Sequence, residues 1–135
     1  MLRRLKDANG DNFRALGWGW EFLIANDVVY GVEEFIKRGL GTRVWQLEPT
    51  ISGILLYVLD GELQVEHWQL IDGMASIDRN KPIIRLHKGE TLVVEPNTVY
   101  RLAGVTDARY LQLSVGKPEL TVKPISDTGP TAVPE

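Results

Sequence analysis

No cysteine occurs among the 135 residues of the chain. A disulfide scaffold, a thiolate zinc site and a cysteine nucleophile are thereby excluded. Histidine is nearly as scarce: His67 and His87 are the only two. No apolar run approaches the roughly 18 residues that a membrane-spanning helix needs, so no membrane association is expected. Positive charge is not in excess either. Fifteen Lys and Arg stand against eighteen Asp and Glu, a net charge of −3. Nucleic-acid binding, which calls for a basic surface, is not expected. The start Met1-Leu-Arg-Arg-Leu-Lys6 is basic, but no apolar stretch follows it, so it does not read as a secretory signal. The expectation is a cytoplasmic protein of one domain, long enough to bury roughly 65–70% of its unfolded surface.

What is present is strand texture. Residues 1–16 mix charge with Leu2, Leu5, Phe13 and Leu16 and read as an N-terminal arm. Over 17–115, apolar runs of four to eight residues alternate with Gly, Asn, Asp and Pro. The runs, among them Val28–Ile36, Ile54–Leu59, Glu62–Leu70 and Arg109–Val115, are rich in Val, Ile, Leu, Tyr and Trp. Such residues suit a pleated, half-buried surface, and none of the runs keeps a helical period. Eight or nine strands at this spacing imply an all-β sandwich or small barrel. Asp60-Gly61 reads as a tight hairpin turn, and Asp72–Pro82 as a longer polar connection. Residues 116–135 hold four of the seven prolines and read as an extended tail, with Leu120, Val122 and Ile125 as points of attachment.

Two stretches resemble the paired motifs of the cupin superfamily, the RmlC-like jelly rolls. In the first, Gly41 is followed at the family's spacing by Leu47, Pro49, Ile54 and Gly61. In the second, Gly89 is followed by Glu95-Pro96-Asn97 and Tyr100. Gly17-Trp-Gly-Trp-Glu-Phe22, with Tyr57–Gly61 downstream, is similar to the subgroup of mannose-6-phosphate isomerase C-terminal domains. The resemblance implies a cupin-type double-stranded β-helix, or jelly-roll barrel, over 17–115. It also implies a metal held at four positions, which here are Leu47, Pro49, Ile54 and Tyr100. Three of these offer no side-chain lone pair, and a neutral phenol is a poor ligand. No metal and no other cofactor is therefore expected.

The inward parity of the first-motif strand would place Arg43 and Trp45 on the face of Leu47. Arg43, Trp45, His67 and Tyr100 are the candidate ligand-binding residues. Arg43 would meet an anion, and Trp45 or Tyr100 would stack on a ring. Blander roles stand beside these. Arg43 at a strand end reaches solvent, Trp45 and Tyr100 fill the core, and His67 is an ordinary strand residue. Glu33-Glu34 reads as one solvated and one inward residue, and Glu95 as a rim residue. Three functions follow. One is a metal-free module binding a polar anionic ligand, such as a sugar phosphate or nucleotide. Another is a metal-free sugar or sugar-nucleotide isomerase or epimerase, with His67 and Tyr100 as its acid–base pair. The third is a structural or partner-binding barrel with a filled interior. A homodimer is expected, paired through a sheet edge or through the Trp18-Gly-Trp20 strand and the arm before it.

Overall fold

The computed structural model describes residues 13–26, 29–47, 53–115 and 122–124. Among them the regular structure is all strand. The first half of the chain forms β1 (Phe13–Leu16), β2 (Gly19–Asn26), β3 (Val29–Ile36), β4 (Trp45–Leu47), β5 (Ile54–Asp60) and β6 (Glu62–Ile71). The second half forms β7 (Met74–Ile77), β8 (Ile84–His87), β9 (Thr91–Val94), β10 (Val99–Gly104), β11 (Ala108–Val115) and β12 (Val122–Pro124). Two antiparallel sheets face each other. The first runs β1-β2-β3-β11-β5-β9 and the second β12-β4-β10-β6-β7, with β8 also paired to β6. This is a jelly-roll barrel.

Alternation along the strands builds the core. Ile54, Leu56 and Val58 on β5, Leu63 and Val65 on β6, and Tyr100 and Leu102 on β10 all point between the sheets. Leu47, Ile54 and Leu56 have no exposed surface at all.

Several expectations meet a different outcome. Asp60-Gly61 is not a hairpin turn. β5 belongs to the first sheet and β6 to the second, so the chain crosses between sheets there. Gly61 has a φ of 77°, and a Cβ on it would lie 2.1 Å from the Asp107 carbonyl oxygen. Only glycine fits such a corner. The true two-residue hairpin is Asp72-Gly73, with φ of 52° and 77°, which returns β6 into β7. Phe13–Leu16, assigned from sequence to the arm, pairs with β2 as an edge strand. Val122–Pro124, assigned to the tail, pairs with β4. Leu120, Ile125 and Pro49 lie outside the described residues. No helix of the described residues is long and apolar enough to cross a membrane.

Candidate functional site

Strand register brings the central side chains together. Tyr100 on β10 sits opposite His67 on β6 and opposite Trp45 on β4. Residues paired across an antiparallel ladder share a face, so all three point the same way. Between the ends of the sheets lies a cavity of about 200 Å³. Its apolar wall comes from Val65, Ile84, Leu92, Val93 and Val94. Its polar groups are His67, Glu95, Thr98 and Tyr100. His67 Nδ1 lies 3.3 Å from the Pro82 carbonyl oxygen. In the tautomer that donates this hydrogen bond, Nε2 is left as an acceptor. Burial, with a further push from Glu34, raises the Tyr100 phenol well above its ordinary pKa, so it stays protonated.

The four sequence candidates therefore separate. His67 and Tyr100 line the cavity. Trp45 shares the face of Tyr100 but packs half-buried against the core. Arg43 precedes β4, is exposed, and is not among the lining residues. The strand parity that would have turned it inward begins only at Trp45. Glu95 lines the cavity from an exposed position.

Leu47, Ile54 and Tyr100, three of the four positions where the motif resemblance anticipates metal ligands, are buried in one apolar cluster. Among the described residues no group of three or more His, Cys, Asp or Glu side chains is placed to hold a metal ion.

Two polar clusters were not anticipated. On the inner face of the first sheet, Arg14, Glu21, Glu34 and Tyr110 stand side by side across β1, β2, β3 and β11. Arg14 pairs with Glu21, and the buried Tyr110 hydroxyl donates a hydrogen bond to Glu34. Burial lifts the Glu34 pKa from 4.5 to about 7, and Glu21 adds to the rise while Tyr110 and Arg14 oppose it. The paired glutamates at 33 and 34 did suggest one inward side chain. Nothing in the sequence linked it to Tyr110, 76 residues away.

The other cluster lies on the outer face of the second sheet and is nevertheless buried. Arg101 Nε and Nη2 donate to Glu66 at 2.9 and 3.3 Å. Gln64 and the Trp68 indole donate to the same carboxylate at 2.8 and 2.9 Å. The guanidinium also lies 5.0 Å from the Trp68 ring centre. Gly41, which bridges to Ala103, lies against Arg101, and a Cβ there would come within 3.1 Å of the guanidinium carbon. Strand alternation alone would have sent Glu66 and Arg101 into solvent.

No family model matches the chain, and no curated protein sequence matches it. Solved structures do. KdgF from Halomonas sp. superposes with a TM-score of 0.62 at 16% identity, covering 85% of this chain and 97% of that one. An RmlC-like cupin from Shewanella frigidimarina gives 0.60 at 16% identity, over 87% and 95%. Ectoine synthase from P. lautus gives 0.65 at 10% identity, over 100% and 92%. The chain thus has the cupin-type jelly-roll fold.

Proposed function

We propose that this protein is a metal-free small-molecule-binding cupin whose ligand occupies the cavity at His67 and Tyr100. The observation that carries this reading is the cavity itself, with its apolar wall and the polar groups His67, Glu95, Thr98 and Tyr100 along it. A cavity of about 150 Å³ admits benzene, so about 200 Å³ suits one ring with its substituents. The apolar wall would take the face of that ring. His67, Thr98, Tyr100 and Glu95 would meet its hydrogen-bonding edge. Tyr100 would act as donor, and His67 Nε2 as acceptor.

Metal chemistry does not fit the donor set. The motif resemblance puts Leu47 and Ile54 at two of the positions where metal ligands would stand, and neither side chain offers a lone pair. An anionic ligand in the cavity would find only His67 as a cationic partner among the lining residues. A neutral, single-ring ligand, sugar-like or base-like, therefore fits better than a whole nucleotide.

A second reading is favoured by one observation: His67 and Tyr100 are direct cross-strand neighbours in the cavity wall. That pair suits proton transfer on a bound sugar, as an isomerase or epimerase requires.

A thermal-shift panel of neutral sugars, nucleobases, carboxylates and sugar phosphates tests the proposal. Hits should come from the neutral classes. His67→Ala should remove their shifts, and Arg43→Ala should leave them intact. Loss of binding in Arg43→Ala, with His67→Ala unaffected, would place the site elsewhere. A hit converted to its isomer or epimer would establish the second reading.

A further inference from the structure

β6 does not stop at the cavity. Its alternation places Leu63, Val65 and His67 on the inner face of the second sheet. Gln69 and Ile71 continue that side, so the strand carries the face of His67 past the cavity and into the β6–β7 hairpin. β7 completes it. Ser76 stands opposite Gln69 and Met74 opposite Ile71, and cross-strand partners share a face. The Asp72-Gly73 turn, with both residues at positive φ, suits the twist of the two strands and closes the hairpin in two residues. The hairpin is therefore an extension of the cavity wall.

What this extension presents is apolar. Ile71 is 54% exposed and Met74 75%, the highest value of any large apolar side chain among the described residues. Single exposed apolar residues are ordinary, but two placed directly opposite each other on one face make a patch. Gln69 and Ser76, between the patch and His67, are half-buried. At about 3.4 Å per residue, Gln69 lies about 7 Å beyond His67 and Ile71 about 14 Å beyond it. A single ring in a cavity of about 200 Å³ does not reach so far.

We infer that the β6–β7 hairpin is an outer subsite for the cavity's ligand, and that this ligand is a neutral ring joined through a polar link to an apolar alkyl or aryl arm. The inference rests on the reading of the cavity as a ligand site and adds the class of ligand. The ring lies between the apolar wall and the edge formed by His67 and Tyr100. The Gln69 amide and the Ser76 hydroxyl meet the linking oxygen or nitrogen. The arm lies on Ile71 and Met74, and the unbranched thioether chain of Met74 adapts to the shape laid on it. A lipid surface suits the hairpin less well. Asp72 stands in the turn between Ile71 and Met74, and insertion of the tip would carry its carboxylate into hydrocarbon.

Calorimetric titration of the full chain with two matched pairs tests the inference, with circular dichroism confirming that each variant is folded. The pairs are methyl and hexyl glucoside, and adenine carrying the same two groups on a ring nitrogen. In at least one pair the hexyl compound should bind about tenfold or more tightly than its methyl partner. Ile71→Ser and Met74→Ser, both at exposed positions, should each shrink that advantage to about threefold or less and leave the affinity of the methyl compound unchanged. Leu70→Ser, on the opposite face of the same hairpin, should leave the advantage intact. His67→Ala should weaken both members of the pair. A methyl compound that binds with no gain from its hexyl partner overturns the inference and leaves the cavity reading standing. A hexyl advantage lost in Leu70→Ser but kept in Ile71→Ser and Met74→Ser overturns it too, as does hexyl binding indifferent to His67→Ala. If none of the four compounds binds, the inference falls together with the neutral-ring reading beneath it.

Discussion

Glu34 and Glu66 are both buried carboxylates, one on each sheet, and their surroundings differ in kind. Glu66 accepts from Arg101, Gln64 and Trp68, so every oxygen has a donor and its charge has a counter-charge. Glu34 accepts from Tyr110 and faces a second glutamate, Glu21, across the ladder. Burial raises its pKa from 4.5 to about 7, so that it takes up a proton well above the usual carboxylate range. The same side chain thus serves as an ion-paired hub on one sheet and, on the other, as an acid whose pKa is raised to about 7. What decides is the number of donors in reach.

The largest expected effect tests the hub. Arg101→Met leaves Glu66 without its counter-charge and should cost about 3–5 kcal/mol in urea unfolding. The double variant Arg101→Met, Glu66→Met should recover part of that loss. If the single change costs less than about 1 kcal/mol, the two carboxylates are not as different as their partners indicate.

Glu34 should respond with the opposite sign. Its folded-state pKa is raised, so the native state binds more protons than the unfolded chain between pH 4.5 and about 7. Its contribution is fully present below pH 4.5 and is lost as pH rises through about 7. A rise from 4.5 to about 7 corresponds to roughly 3 kcal/mol as an upper bound. Glu34→Gln should therefore stabilise the protein at pH 8 by up to that amount, and by less than about 1 kcal/mol at pH 5. Equal effects at both pH values would show that Glu34 is ionised in the fold.

The smallest effect sharpens the contrast. Trp68→Phe removes one donor from Glu66 and weakens the ring contact with Arg101, while the guanidinium and Gln64 remain. A loss of about 1–2 kcal/mol is expected, read from the denaturation midpoint.

The strands, and the likeness to a jelly roll, were legible in residues alone. Val, Ile, Tyr and Trp in short runs, broken by Gly and Asn-Pro chemistry, demand a pleated surface with one buried side. Period-two alternation and the motif resemblance offered Trp45, His67 and Tyr100 as inward candidates, and only the strand register brings them onto one face. That Leu47 and Ile54 offer no side-chain lone pair could be read directly, because side-chain chemistry belongs to the residue.

Other features only the tertiary structure decided. Asp60-Gly61 and Asp72-Gly73 are nearly identical as sequence, yet one crosses between sheets and the other closes a hairpin. The difference depends on which strands β5, β6 and β7 find as partners. Arg43 was read inward by parity, but parity holds only inside a strand, and β4 begins two residues later. Glu66 and Arg101 alternate outward as solvent-facing residues should. They are buried because the segment around Gly41 folds back along that edge. Alternation states which side of a strand a residue occupies. Whether that side meets water, another layer of the chain or a cavity depends on contacts between residues far apart in sequence, and those exist only once the barrel has closed.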